Sequence, residues 1–216
     1  MNIHQLFADF YGELVKRTNL LTEDNIRYYW FSQMLKQDQV LDHYCLEAPY
    51  STWVPSNQAM QRKQLDMYYN GGNEDVHFAE MKFYRKVDGS TLTMTEDAGK
   101  LINDMYRVNT IPSSSGRRMF LFVTDDCMEN YLCLNTRTSN SGNLPFRLHL
   151  KDILTLPQNQ SINVSFKGMH GTPATFDKRA KLQVNLNTPL KVKMLERTDV
   201  KIASGLDLHI RLYEIL

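Results

Sequence analysis

The sequence predicts an α/β fold, and three observations carry that prediction. Runs of period-two alternation recur between runs of helical spacing. A glycine-rich turn joins two of the alternating runs. One nearly continuous apolar run follows an amphipathic helix, as expected of a central strand buried on both faces. With 216 residues the chain suits one large domain or a core with an appendage.

Ile3, Leu6, Phe7, Phe10, Tyr11 and Leu14 fall at helical spacing, so an amphipathic helix opens the chain and ends near Thr18-Asn19. A second helix starts at Thr22, a good N-cap, with Glu23 and Asp24 in the first turn, where the helix dipole favours negative charge. Ile26, Tyr29, Trp30, Gln33 and Met34 continue one face of it. Residues His43 to Glu47 read as a short strand closed by Ala48-Pro49. The polar stretch from Tyr50 to Gln61 reads as a surface loop; Trp53 within it serves either as a core lid or as a base-stacking contact, and core packing is the commoner use.

Two strand-like runs follow. Arg62 to Tyr69 alternates Leu65, Met67 and Tyr69 against Gln64, Asp66 and Tyr68, and Val76 to Tyr84 alternates Val76, Phe78, Glu80 and Lys82 against His77, Ala79, Met81 and Phe83. Asn70-Gly71-Gly72-Asn73-Glu74-Asp75 between them favours an antiparallel hairpin. If Gly71 to Asp75 is the loop, Asn70 faces Val76, Tyr68 faces Phe78, Asp66 faces Glu80 and Gln64 faces Lys82. One face then carries two carboxylates and an ammonium. Like charges directly opposite are destabilising, so an Asp66/Glu80 pair calls for a cation between them. A slip of one residue would separate them.

Arg85 to Ser90 makes a turn that sets Arg85 and Lys86 beside this face, where they either contact phosphates or are simply solvated. The next helix, about Met94 to Asn109, buries Met94, Ala98, Leu101, Met105 and Val108. Its stripe of Thr95, Gly99, Asn103 and Arg107 suggests close approach: either a neighbouring backbone packs on Gly99, or Asn103 and Arg107 reach a phosphate or brace the carboxylates. After the loop Pro112 to Gly116, Arg118 to Thr124 is the apolar run, expected to lie parallel to the Glu80 strand through a right-handed crossover. Beyond Asn135, short alternating stretches at 163–166, 182–186, 190–194 and 206–212 suggest a β-rich tail that either extends the sheet or forms a small domain.

At Asp66 and the triplet Glu80-Met81-Lys82 the chain resembles the PD-(D/E)xK nuclease superfamily, whose signature is an acid on one strand and Glu-x-Lys on the next. Leu65 precedes the acid here, in place of proline. Thr22-Glu23-Asp24-Asn25-Ile26-Arg27-Tyr28 and the segment Ala98-Gly99 through Asn103-Asp104 to Arg107 are similar to helix motifs of uncharacterised bacterial members. The likeness spans roughly residues 10 to 130. It implies a restriction-endonuclease-like αβββαβ core with a mixed sheet over residues 1–133, and a basic β-rich extension over 134–216, either separate or part of the same domain. It also implies Mg2+, for which Mn2+ would substitute, held by Asp66, Glu80 and the Met81 carbonyl. Lys82 would then position water or phosphate, and Glu23 would lean toward the metal directly or through water; otherwise Glu23 only stabilises its helix.

Charge fits that expectation. Residues 1–133 hold 13 Lys and Arg against 18 Asp and Glu, whereas 134–216 hold 12 against 6, so an acidic core precedes a basic segment that either meets phosphates or is ordinary solvated surface. Three cysteines, Cys45, Cys127 and Cys133, cannot all pair within one chain, and the scattered histidines argue against a zinc hydrolase. No signal-like start and no uninterrupted apolar stretch of membrane-spanning length is present, so a cytoplasmic protein without a membrane partner is expected. The leading expectation is therefore a metal-dependent DNA endonuclease, with pairing of two copies to cut two strands implied by the resemblance. The alternatives are a nucleic-acid-binding relative that has lost cleavage and an interaction module on the same fold. The hydrolase reading requires the Asp66, Glu80 and Lys82 tips to converge, rather than to splay apart or lie locked in ion pairs beneath an occluded surface.

Overall fold

The apolar stripe of the first helix, α1 (Ile3–Leu14), buries Ile3, Leu6, Phe7, Phe10 and Leu14 against the second, α2 (Glu23–Gln37), where Phe10 meets Trp30 edge to face. Helix α2 starts where Thr22 places it: the Thr22 hydroxyl accepts the Asn25 N–H, and the Asn25 side chain accepts the Thr22 N–H. The computed structural model describes residues 1–18, 21–55, 60–72, 75–85, 94–133, 145–166, 186 and 188–216, side chains 95 and 145–148 excepted. The remaining elements are β1 (Tyr44–Pro49), β2 (Gln64–Asn70), β3 (Val76–Tyr84), α3 (Met94–Asn109), β4 (Arg117–Asp125), α4 (Asp126–Leu132), α5 (Pro145–Leu154), β5 (Ser161–Val164), β6 (Leu190–Lys201) and β7 (Asp207–Ile215).

The described strands form one seven-stranded mixed sheet in the order β1-β2-β3-β4-β7-β6-β5, so the fold is α/β as expected. Strand β3 runs parallel to β4 through α3, and the other neighbours are antiparallel. Period-two alternation splits the core in two. Met119, Leu121 and Val123 of β4 face α1 and α2, while Phe120 and Phe122 face α3 and its neighbours. Strand β4 is thus the twice-buried central strand that its apolar run implies.

Two helices beyond β4 add to the expected elements. Helices α4 and α5 were not anticipated; α5 buries Leu150, Ile153 and Leu154 in the α3-side core. Of the two arrangements open for the tail, the described strands take the first and extend the main sheet, β7 pairing with β4 over Arg118 to Asp125. Most of the strand expected at 182–186 lies outside the described residues, with only Leu186 described. In β6 a register shift between Met194 and Glu196 reverses the phase, so Leu190, Val192 and Met194 face one core and Val200 the other, which disguises the alternation in sequence. The supposed surface loop after β1 contributes Tyr50 and Met60 to the core, and Trp53 packs on Tyr68 and Phe78, as a core lid does.

Candidate active site

The sheet opens at Asp66. On one side, β1 pairs Leu46 with Met67 and Ala48 with Leu65, and Glu47 between them turns to φ +54°. Positive φ is uncommon outside glycine and takes Glu47 out of regular pairing. On the other side the β2–β3 ladder keeps the expected register from Asn70↔Val76 to Met67↔Ala79 and stops there. The expected pairings of Asp66 with Glu80 and Gln64 with Lys82 are therefore not made: the strands part before these positions, which relieves the like-charge opposition. Across the gap the Asp66 side chain replaces the missing ladder bond, its Oδ2 accepting the Met81 N–H at 2.7 Å.

With β2 gone, side chains from both helical layers reach the free edge of β3. Arg27 of α2 places Nη2 2.8 Å from Asp66 Oδ1 and 2.8 Å from Glu23 Oε1. From the other layer, Arg107 of α3 places Nη2 2.8 Å from Glu80 Oε1, and it also pairs with Asp104. The Lys82 ammonium bridges the layers, 3.0 Å from Asp104 Oδ2 and 3.3 Å from Glu23 Oε1. Tyr50 donates to Glu80 Oε2 at 3.4 Å. Four carboxylates thus interleave with three cations.

Of the residues expected at the site, Asp66, Glu80, Lys82, Glu23 and Arg107 come together. Arg107 binds Glu80, so it braces a carboxylate. Asn103 is buried on α3. Arg85 directly follows β3 and has no bond to this cluster, and Lys86 lies outside the described residues. Three members were missed. Arg27 and Asp104 stand inside the two helix motifs noted above, which was the signal available for them. Tyr50 stood in a stretch taken for surface and gave none.

Burial sets the proton affinities. Glu80 is 2 % exposed; that burial, joined by the negative charges of Asp66 and Asp104, pushes its carboxyl up to about 8, against the pull of Arg107. Asp66 is pushed up to about 6, again chiefly by burial, which outweighs Arg27 and the Met81 N–H. Lys82 goes the other way: burial disfavours its charge, but Asp104 and Glu23 prevail and hold it above the ordinary lysine value. The cluster is ion-paired and mostly buried. A cleft of about 260 Å³, lined by Asp24, Arg27, Tyr28, Leu46, Glu47 and Asp66, leads from solvent to the Asp66 carboxylate.

The donor types are those magnesium takes, but each Asp66 and Glu80 carboxylate oxygen already accepts a bond from Arg27, Met81, Arg107 or Tyr50, so a metal would have to displace some of these. Hard divalent cations take carboxylate and carbonyl oxygens plus water. A strand residue directs its N–H and C=O to the same edge, so the Met81 N–H on Asp66 places the Met81 carbonyl at the same opening. Among the described residues no trio of His, Cys, Asp or Glu encloses a metal by itself, so water would have to complete the shell. The free cysteines Cys45, Cys127 and Cys133 stand outside the ion-paired cluster. No described helix is long and apolar enough to cross a membrane. No protein-family model, curated protein or solved structure matches the chain.

Proposed function

We propose that the chain is a metal-dependent phosphodiester hydrolase acting on nucleic acid, most simply a DNA endonuclease with the restriction-endonuclease-like core. The opening of the sheet at Asp66 carries this reading. It brings Asp66, Glu80, Lys82 and Glu23 to one edge, and the order α2-β1-β2-β3-α3-β4 around that edge agrees with the resemblance. Asp66, Glu80 and the Met81 carbonyl would hold Mg2+, which supplies a hydroxide at neutral pH and absorbs charge on the phosphoryl oxygens.

The protein's own groups supply the rest. Asp66 reaches solvent through the cleft, so substrate enters on that side. The cleft carries Asp24, Glu47 and Asp66 against Arg27 alone; a bare phosphodiester would be repelled until these charges are neutralised. Lys82, kept charged by Asp104 and Glu23, holds the attacking water or the scissile phosphate. Arg107 and Tyr50 fix the Glu80 carboxylate in place.

One observation favours a second reading. Arg27, Lys82 and Arg107 already engage the carboxylates, as they would in a relative that retains the cluster for structure and binds nucleic acid without cutting it. Plasmid nicking in Mg2+ or Mn2+ separates the two. The hydrolase should nick supercoiled DNA, with the rate lowered about 10²-fold or more in Lys82→Ala and lost in Asp66→Asn. Binding without nicking in either metal supports the second reading, and nicking that survives both substitutions places the chemistry elsewhere.

A further inference from the structure

A second cavity, of about 590 Å³, lies at the starting ends of β3 and β4, away from the carboxylate cluster. Its lining includes Ser113, Ser114, Ser115, Gly116, Arg118 and Glu214. The floor is set by Gly116, whose φ is +144° and whose missing side chain matters: a Cβ there would stand 2.6 Å from the Val76 carbonyl. The serine turn is thereby drawn tightly onto the start of β3.

Arg118 is the unusual member. It is 6 % exposed, yet every partner of its guanidinium is neutral. Nε donates to the Ile215 carbonyl at 3.0 Å, and Nη1 donates to the carbonyls of Ile111 at 2.9 Å and Asn109 at 3.2 Å. Among the described residues no carboxylate pairs with it. Nη2 has no protein partner and is not one of the polar atoms sealed from solvent, so it opens onto the cavity that Arg118 lines. Glu214 is already taken by Arg117, at 2.9 and 3.3 Å. Glu214, though bonded to Arg117, also acts on the Arg118 charge through space, but burial outweighs it and lowers the proton affinity of the guanidinium.

Two roles account for different parts of this geometry. Tethering β4 to β7 and to the segment after α3 explains Nε and Nη1. It leaves unexplained the free Nη2 and the cavity in front of it. An oxyanion accounts for both, since Nη2 keeps two N–H donors that match carboxylate or phosphate oxygens. Ser113, Ser114 and Ser115 line the same cavity, and a tetrahedral anion offers such hydroxyls more acceptor oxygens than a carboxylate does. The cavity is within the size range of small-molecule sites, so the phosphate would arrive attached to a larger group.

We propose that this cavity is a phosphoryl-binding site, formed by the Arg118 guanidinium and the Ser113–Ser115 hydroxyls and separate from the proposed catalytic edge. Its ligand is a phosphomonoester, either free or at the end of a nucleic-acid strand.

Calorimetric titration of the full chain with inorganic phosphate, in chelator to silence any hydrolysis, tests the site. Saturable binding is expected. It should weaken tenfold or more in Ser114→Glu, which sets a carboxylate in the cavity at an exposed position, and in Arg118→Lys, which keeps the charge but loses the Nη2 donors. Asp66→Asn should bind phosphate like the wild type, so this test stands or falls apart from the hydrolase reading. No saturable binding by the wild type, or unchanged binding in both Ser114→Glu and Arg118→Lys, overturns the proposal. Circular dichroism guards against misfolding of Arg118→Lys, and Ser114→Glu decides the matter if that variant fails to fold. A 5′-phosphorylated oligonucleotide that binds more tightly than its unphosphorylated twin assigns the strand end, whereas AMP or phosphate binding with no difference between the twins assigns a free phosphomonoester.

Discussion

Glu80 shows what a buried carboxyl costs, and its sign can be worked out. Its affinity for a proton is higher in the folded chain, pushed up to about 8, than the ordinary value of 4.5. Between those values the folded state binds more protons than the unfolded one, so stability falls as pH rises. The contribution is complete below the ordinary value and is lost as pH climbs through about 8. Asp66 adds a loss of the same sign, between 3.8 and about 6. Other groups titrate too, so the informative quantity is a difference. The unfolding free energy of the metal-free wild type minus that of Glu80→Gln, from urea titrations, should decline from pH 5 to pH 8.5 by a total on the order of a few kcal/mol. A flat or rising difference would mean that Arg107 outweighs burial and that Glu80 is ionised throughout.

Elements decide whether those residues meet. Glu23 and Arg27 arrive at the cluster because α2 starts at Thr22, whose hydroxyl and Asn25 close a reciprocal cap. Thr22→Ala should cost about 1 kcal/mol in urea unfolding, with Thr22→Ser near neutral, and should loosen Glu23 from Lys82. Equal stability of Thr22→Ala and wild type would show that packing of Ile26 and Trp30 alone fixes the helix start. This cap was legible in sequence because a local bond needs only neighbours in the chain. The hairpin from Asn70 to Val76 was legible for the same reason, and so was the span of α3, set by its apolar stripe. The fork at Asp66 was not. It depends on a backbone turn at Glu47 in another strand, and period two alone predicts an unbroken ladder. Tyr50 was hidden likewise: a short turn between strands has no period, and its burial comes from α3 and β3 folding over it.

At the scale of the molecule, charge divides the sequence near residue 133, but the sheet does not divide there. Strand β7 fills the edge of β4 along Arg118 to Asp125, and Leu208, Ile210 and Leu212 continue the core begun by Met119, Leu121 and Val123. Arg211 is tied across the same boundary, 2.5 Å from Glu129 of α4. Without β7, the most apolar strand of the sheet would become an open edge, a template for aggregation rather than a boundary. A chain ending at residue 133 should therefore show no cooperative thermal transition and should aggregate, although it contains Asp66, Glu80, Lys82 and both helices that serve them. The full chain should melt in one transition. A soluble 1–133 fragment with its own cooperative melt would instead make the acidic segment a domain by itself, and the basic tail an appendage whose loss the proposed catalytic edge could survive.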